Sequence, residues 1–313
     1  MTKLLEWWSQ TLQFYEQQYQ KRMAIIYSIV SQFFFTAMFT CVSMLKGEYS
    51  SLQIVNMRMI TGFIFNTAFC HINKIPTYTK EASTLRLLSI RGILGGLGMT
   101  CIFTCITLMS VSDGVVMVNT NPIWTNFLAF FFLGEHLSKK TLGLCLISFI
   151  GIVLVSRPAS IFGEIHNSHN EAKNQLLGTI FGLVGSLIVS LVSIVVRKLS
   201  HQLKCNGAMH MQYNYFISSF FTAILVLNDA ERPFIFTFKF LYLNVLLSFC
   251  GFIGQLLIFK AFTLEKASII SPMQYLQVVL SFLLDIFVLK NSVSITSIAG
   301  AALIILGSVG IIM

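Results

Sequence analysis

Residues 105–155 decide the fold of this chain: CITLMSVSDGVVMVNTNPIWTNFLAFFFLGEHLSKKTLGLCLISFIGIVLV. They predict an apolar helix with scattered polar residues, a short turn at residues 133–138 and a second apolar helix. Shifted so that Cys105 meets Ala261, the stretch aligns without a gap, and ten of its 51 positions are identical. The breaks in hydropathy coincide as well, and an internal repeat sets the architecture of a chain. The sequence therefore predicts one unit that occurs twice.

The composition indicates a protein of the lipid bilayer. Hydrophobic residues make up 55% of the chain and charged residues only 11%, whereas a soluble domain carries about a quarter charged residues. A helix needs about 20 apolar residues to cross the hydrocarbon core, and no segment alternates with the period of two that barrel strands require. We predict an all-α integral membrane protein with ten transmembrane helices. They cover roughly residues 23–45, 52–72, 87–109, 112–133, 140–156, 176–197, 208–228, 240–262, 267–289 and 293–312.

With five helices in each unit, the second unit enters the bilayer from the opposite side. The ten helices should therefore form two inverted five-helix repeats, as in many secondary transporters. Residues 22–157 are the first repeat, residues 158–175 a hydrophilic linker and residues 176–313 the second repeat. Residues 1–21 predict either a cytosolic amphipathic leader or a poorly ordered tail. His166 and His169 in the linker are more often solvated than metal-bound in such a context, so we predict no metal and no cofactor.

Lysine and arginine in the loops predict the orientation. With a cytosolic N-terminus, fourteen of these residues fall on the cytosolic side and six on the opposite side, which agrees with the positive-inside rule. Both termini are therefore predicted to be cytosolic, in either the plasma membrane or an internal membrane. The net charge of +9 reflects the basic loops, so the predicted partners are the lipid bilayer and a small-molecule solute, and not nucleic acid.

Several short segments resemble a known family. They are Arg91-Gly92, Asn121-Pro122, Leu133-Gly134-Glu135, residues 271–275 and residues 300–305. Together they are similar to the EamA-type transporters of the drug/metabolite transporter superfamily, nearest to the G group of the solute carrier 35 family, over residues 22–312. The resemblance implies a solute transporter. Asn291 stands where the family has a second turn glutamate, so the turn glutamate Glu135 has no acidic counterpart.

Two of the five prolines lie inside predicted helices. Pro122 lies in the fourth helix and Pro272 in the ninth, which are equivalent helices of the two repeats. A proline removes one helical hydrogen bond and clashes with the carbonyl group four residues earlier. Interrupted helices at corresponding positions indicate a transport site, so we predict that both prolines break their helices for gating, together with Glu135. The alternative is that the prolines only make packing kinks.

Polar side chains cluster beside these prolines. Amides that faced lipid would be costly, so we expect them in the bundle interior or along a water-filled cavity. There they would bind the substrate or would bond one another between helices. The substrate-binding residues predicted here are Asn119, Asn121, Gln274, Tyr275 and Gln277.

Charged residues inside predicted helices cost about 2.5–3.5 kcal/mol each on an insertion scale. Arg58 in the second helix and Asp285 in the ninth lie at comparable depths, and we predict that they are neighbours. They would form an ion pair or would bind substrate and a proton. The alternative for Asp285 is snorkelling or pairing with Lys290. Lys260, near the inner mouth, is predicted to bind substrate or, like Arg91, to anchor the chain at the interface.

These features predict a secondary-active or facilitative transporter of a small organic metabolite that works by alternating access. Three cationic groups against one buried acid make an organic anion the first hypothesis for the solute. The alternatives are a channel, which would need a ring of like groups, or a non-transporting scaffold. An enzyme is not predicted, because the metalloprotease and nucleophile-elbow motifs are absent. The glycine-containing fifth and tenth helices predict either a homodimer surface or contact with lipid and with their own repeat.

Overall fold

The computed structural model describes residues 19–45, 48–108, 116–135, 138–156, 169–228, 236–287 and 295–312. The regular structure of these residues is helical, which confirms the predicted all-α class. The helices are α1 (Gln20–Leu45), α2 (Ser51–Ile72), α3 (Ala82–Leu108), α4 (Asn121–Leu133), α5 (Lys139–Ser156), α6 (His169–Arg197), α7 (Gly207–Asn228), α8 (Phe238–Leu264), α9 (Ala267–Ile270), α10 (Leu276–Phe287) and α11 (Ile295–Ile312). A π-helical turn, Lys198–Gln202, follows α6, and a 3₁₀ segment, Ser271–Tyr275, joins α9 to α10.

The helices belong to a multi-pass membrane protein. Among the described residues, the stretches long and apolar enough to span a bilayer are Gln20–Val42, Ala82–Cys105, Asn174–Gln202 and Phe238–Leu264, with shorter apolar stretches at Ala267–Leu280 and Ile298–Gly310. Large apolar side chains also face outward, as Phe131 does with 74% of its surface exposed. In a soluble protein such a surface would be unusual, whereas lipid tails are a favourable environment for it. The count of ten spans stays a prediction.

Helices from the two halves of the chain pack mainly on each other. α1 lies along α8, α3 along α6, α2 along α7 and α5 along α11. In the α2–α7 pair, Asn56 donates to Thr222 Oγ1 (3.0 Å) and Asn66 donates to the carbonyl of Ala208 (2.9 Å). The residue number rises along one helix as it falls along the other, so α2 and α7 run antiparallel.

Glycines bring α5 and α11 into backbone contact. A Cβ atom on Gly151 would lie 2.6 Å from the carbonyl oxygen of Gly300, and one on Gly310 would lie 2.9 Å from a methyl group of Leu144. These contacts also make the pair antiparallel. The glycine faces of the two helices are therefore occupied by each other, and only small residues permit such an approach.

The backbone departs from a continuous α-helix beside both prolines, and their predicted role in gating stays a prediction. Pro272 lies in the 3₁₀ segment, where the helix that began as α9 changes its hydrogen-bonding pattern before α10. Pro122 lies in the first turn of α4, after a turn at residues 119–120. A proline at a helix start loses no helical hydrogen bond, so Pro122 begins a helix and does not kink one. α4 ends at Gly134, whose positive φ of 65° is the usual glycine conformation at a helix C-terminus.

Candidate functional site

Arg58 is the first element of the candidate site. It lies inside the bundle, 2% exposed, and its Nε and Nη1 atoms have no hydrogen-bond partner among the described residues. Gly251 on α8 makes room for it, because a Cβ atom there would lie 2.9 Å from Arg58 Nη2 and 3.0 Å from Met38 Sδ on α1. An uncompensated buried charge is strongly destabilising. The arrangement is therefore suited to a bound anion or another hydrogen-bond acceptor.

The predicted neighbour of Arg58 cannot be placed beside it. The side chain of Asp285 lies outside the described residues, and so do Lys290 and Asn291. The pairing of Arg58 with Asp285 consequently stays a prediction, and so does the proton-binding role of Asp285.

A second arginine lies in the interior. Arg91 on α3 is 4% exposed, so it is not the interfacial anchor that we considered from the sequence. Its Nε donates to His210 Nε2 (3.0 Å) and its Nη1 donates to Asn214 Oδ1 (2.7 Å), both on α7. Gly95, one turn along α3, leaves the space that the Arg91–Asn214 bond fills. Both acceptors are uncharged, so neither of them neutralises the positive charge of the Arg91 guanidinium.

Tyr215 is buried in the same interior as the two arginines. It is fully inside the bundle, and its ring lies against Gly62 of α2, where a Cβ atom would be 2.6 Å away. Arg58 and Arg91 each interact electrostatically with Tyr215, and Arg91 also interacts with Arg58. Two like charges in the interior repel each other. We group the side chains that interact with these charges as one cationic cluster, which consists of Arg58, Arg91, His210, Asn214 and Tyr215.

A polar stripe on α7 carries two of the five residues of this cationic cluster. Its residues recur every four positions and therefore share one helical face. Ser218 donates to the carbonyl of Gly92 (3.0 Å) and Thr222 accepts from Asn56. Sequence reasoning missed this stripe because it considered polar residues beside the prolines only, although the spacing of four was a readable signal. The buried members are His210, Asn214, Ser218 and Thr222.

The predicted amide residues lie in a second place, between α4, α6 and the 3₁₀ segment. Asn121 Nδ2 donates to Gln274 Oε1 (2.9 Å), and Ser190 of α6 donates to the carbonyl of Asn121 (2.8 Å). Asn121 Oδ1 is buried without a partner among the described residues. The structure thus brings Asn121 and Gln274 together, as interhelical contacts would do, and leaves one amide oxygen available.

The other predicted residues of this region are less closely associated. Tyr275 is completely buried, and its hydroxyl has no partner among the described residues. Asn119 and Gln277 are half-buried. Lys260 is exposed, with its ammonium group 5.3 Å from the centroid of the Tyr27 ring. Such a cation–π contact on the surface fits the anchoring alternative for Lys260.

Glu135 holds three helix ends together. Its carboxylate accepts from the backbone N–H groups of Ala267 and Ser268 (3.2 Å each) and from Ser268 Oγ (2.9 Å), so it caps the first turn of α9. It also pairs with Arg197 Nε at 3.6 Å. Arg197 in turn donates to the carbonyl of Phe262 near the end of α8, where helix carbonyls lack internal partners. We call this group the Glu135 clamp.

The sequence as a whole matches one family. The model of the EamA-like transporter family matches residues 22–157 and again residues 176–313. This chain belongs to the EamA-like transporter family. Members of that family are transporters, and the names of the relatives below also indicate a transporter and not an enzyme.

Relatives of this EamA protein include named transport proteins. A protein of Saccharomyces cerevisiae named "Probable transport protein" is 28% identical over 96% of this chain and 92% of its own length. Mouse solute carrier family 35 member G1 is 22% identical over 92% of this chain and 77% of its own length. The pseudopaline exporter CntI of Pseudomonas aeruginosa is 21% identical over 82% and 84%. These matches support the predicted proximity to the G group of solute carrier 35.

Solved structures share the fold of this EamA protein, among them one crystal structure. It has a TM-score of 0.75 and 14% sequence identity, and the match covers 92% of this chain and 97% of the other. At this identity the likeness concerns the fold alone. No group of three or more His, Cys, Asp and Glu side chains that could hold a metal occurs in the described part of the chain, and His166 of the linker lies outside it.

Proposed function

We propose that this EamA protein is a carrier that moves a small organic anion across the membrane by alternating access. The observation that carries the proposal is that Arg58 Nε and Nη1 are buried without a hydrogen-bond partner among the described residues. A second arginine, Arg91, is buried in the same interior and interacts electrostatically with Arg58, and the acceptors that Arg91 binds are neutral. Burying such charges is expensive unless a counter-charge is supplied. An anionic solute supplies that counter-charge when it binds. The solute leaves again when the protein changes conformation.

Ten helices in two inverted five-helix repeats are the architecture on which this carrier rests. A two-fold axis in the membrane plane would exchange helices one and six, two and seven, and three and eight. It would pair α2 with α7 and α5 with α11 as antiparallel partners, and both antiparallel pairs are present. It would also require that the α1–α8 contact be matched by an α3–α6 contact, as it is. These pairings support the inverted repeat.

The Glu135 clamp would act as one gate of the carrier. With both termini in the cytosol, the turn after α4 lies on the cytosolic side. The clamp ties this turn to α6, α8 and α9, so solute could pass to the cytosol only after its contacts break. The helix interruptions at Pro122 and Pro272 would let short segments move without unfolding long helices. The bond from Asn121 to Gln274 joins the two interrupted segments and would open with the clamp.

A homodimer would need the outward faces of α5 and α11, because their glycine faces contact each other. Leu146, Ile147 and Ile150 on α5 are exposed and offer such a surface. The mass of the purified protein in detergent tests this proposal. The mass of a dimer would mean that a second copy covers this surface, and the mass of a monomer would mean that lipid covers it.

Counterflow in proteoliposomes tests the proposed function. Vesicles are loaded in turn with carboxylates, sugar nucleotides, amino acids or organic cations, and entry of the labelled solute is followed. We expect one anionic class to accumulate. Arg58→Gln should reduce that uptake at least about tenfold, because a lost charge-assisted bond is worth about 1.5–3 kcal/mol. Arg86→Gln is the matched control, since Arg86 is exposed on α3. Asp285→Asn examines the predicted proton site in the same assay.

The outcomes separate the alternatives. Uptake of cations or neutral solutes only would contradict the anion proposal and leave the carrier. Single-channel currents would identify a channel. Silence across the whole panel would favour a non-transporting scaffold.

A further inference from the structure

The Arg91–His210 contact has a defined protonation state. A guanidinium has donors only and stays charged, so His210 Nε2 must accept with its lone pair. His210 is therefore neutral, with its proton on Nδ1. The Nδ1 atom has no well-formed hydrogen bond among the described residues, and the carbonyl of Gly207 is the backbone acceptor that interacts with the ring.

Addition of a proton would break this contact. The Nε2 atom would become a donor that faces the donor Nε–H of Arg91 at 3.0 Å, and two positive charges would meet in the interior. His210 is 1% exposed, so water does not solvate the new charge in this conformation. The protonated state thus requires an acceptor with negative charge that both side chains can share.

The described residues around His210 do not supply that charge. α3 contributes Arg91, α8 contributes the uncharged ring of Phe259, whose centroid is 5.0 Å away, and α2 contributes the Asn66 amide near Ala208. Beyond Arg91 the next groups are Arg58 and Tyr215. None of these named groups is an acid. Because the described part of the chain places no acid there, we assign the missing negative charge to a ligand.

We propose that Arg91 and His210 form a subsite that binds an anionic group of the solute together with a proton. This inference rests on the anion carrier proposed above and names its coupling ion. On the entry side, water delivers a proton to His210 Nε2 and the anion accepts from both side chains. On the exit side, the proton returns to water, the anion leaves and Arg91 again donates to His210. Charge and protons balance, because each proton that binds is released.

Binding of the two ligands is therefore mutually reinforcing. If the anion increases the proton affinity of His210, the proton increases the affinity for the anion by the same factor. A fall in pH across the range where histidine titrates should strengthen solute binding. A chain in which position 210 cannot take a proton should lose this dependence.

The test is uptake in proteoliposomes at a series of pH values from about 7.5 to about 5.5. Succinate is the carboxylate probe and UDP-glucose is the phosphate probe. The pair shows whether the subsite prefers a carboxylate or a phosphate group. We expect the wild type to take up one of them faster as the pH falls. His210→Gln keeps an acceptor for Arg91 but cannot bind a proton, so its uptake should not change with pH. His71→Gln is the control, because His71 is exposed near the end of α2.

A second readout does not depend on uptake rates. Adding the probe to purified protein in weak buffer should withdraw about one proton per bound anionic group from solution for the wild type, and none for His210→Gln. If His210→Gln fails to fold, Asn214→Asp replaces it. The new carboxylate would neutralise Arg91, and anion affinity should fall at least about tenfold.

The possible failures are distinct. If the wild type takes up neither probe nor any other anion, the proposed function itself is wrong. If it takes up an anion but His210→Gln keeps the wild-type pH profile, or Asn214→Asp keeps the wild-type anion affinity, the carrier stands and the proton subsite is wrong. Proton uptake by His210→Gln on anion binding would also overturn the subsite.

Discussion

Glycine at position 95 is what permits the Arg91–Asn214 bond. A Cβ atom there would overlap both Arg91 Nη1 and Asn214 Oδ1. We predict that Gly95→Ala lowers the free energy of unfolding by about 1–3 kcal/mol, because the added methyl group strains the helices and leaves a buried donor without its acceptor. Thermal unfolding in detergent measures the change.

The control for this prediction lies on the same helix. A Cβ atom on Gly98 would lie 3.0 Å from a methyl group of Ile188 and 3.5 Å from a methyl group of Val189, and neither atom takes part in a hydrogen bond. Gly98→Ala should therefore cost clearly less than Gly95→Ala. Equal effects of the two substitutions would mean that the space beside Arg91 is not specifically required.

Arg58 was recognisable from the sequence, whereas Arg91 and His210 were not. A charge six residues inside an apolar run is conspicuous on hydropathy alone. Arg91 lies near the predicted end of its helix and His210 near the start of another, where charges usually reach the interface. Their burial depends on how α3 packs against α7, and a single sequence does not state which helices become neighbours. The spacing of four along α7 shows the polar face but not its partner.

At the scale of helices, the α5–α11 contact offers the sharpest prediction. A Cβ atom on Gly300 would lie 2.5 Å from the backbone carbonyl oxygen of Gly151, and backbone cannot yield as a side chain can. Gly300→Val should destabilise the protein by about 1–3 kcal/mol or separate the two helices. Gly143→Val makes the same change on α5 where nothing lies within 4 Å. We expect it to leave the unfolding temperature nearly unchanged, and a comparable loss would contradict the packing described here.

The lengths of the helices were largely predictable because they are set by the bilayer. Apolar runs bounded by charged loops gave bounds close to those of α1, α2, α5 and α8. The interruption at Pro272 followed from the missing N–H group of proline. The start of α4 at Asn121 could not be predicted in this way, because a proline is compatible with both a kinked helix and the first turn of a new helix. That choice depends on tertiary packing.

At the scale of the whole molecule, the Glu135 clamp predicts the accessibility of a native cysteine. Cys205 lies in the loop after α6, eight residues beyond Arg197 of the clamp, and burial together with Glu81 raises the pKa of its thiol to about 11. The thiolate is the reactive form, so this cysteine should react slowly with maleimide at neutral pH. Glu135→Gln removes the ion pair with Arg197. If the loop then becomes solvated, the pKa of the Cys205 thiol falls. The thiolate fraction at neutral pH, and with it the labelling rate, then rises about tenfold for each unit by which the pKa falls.

The matched control is at the opposite end of the helices. Glu48 pairs with Lys239 at 2.6 Å, and both side chains are about half exposed. Exposed ion pairs contribute little to stability, so Glu48→Gln should not alter the labelling of Cys205. Unchanged labelling in Glu135→Gln would argue that the clamp is a structural cap and not a gate. Mass spectrometry of the labelled peptide measures both variants.

The pairing of α1 with α8 has a consequence for biosynthesis. The ribosome completes α1, α2 and α3 long before α8, and at about 5–20 residues per second the delay is on the order of ten seconds or more. During that interval the nascent chain holds Arg58 and Arg91 in or near the bilayer before α7 and α8 exist to surround them. The insertion machinery must shelter these charges, and a truncated chain would be a target for degradation. Translation speed between α3 and α8 thus becomes a determinant of how much carrier the cell obtains.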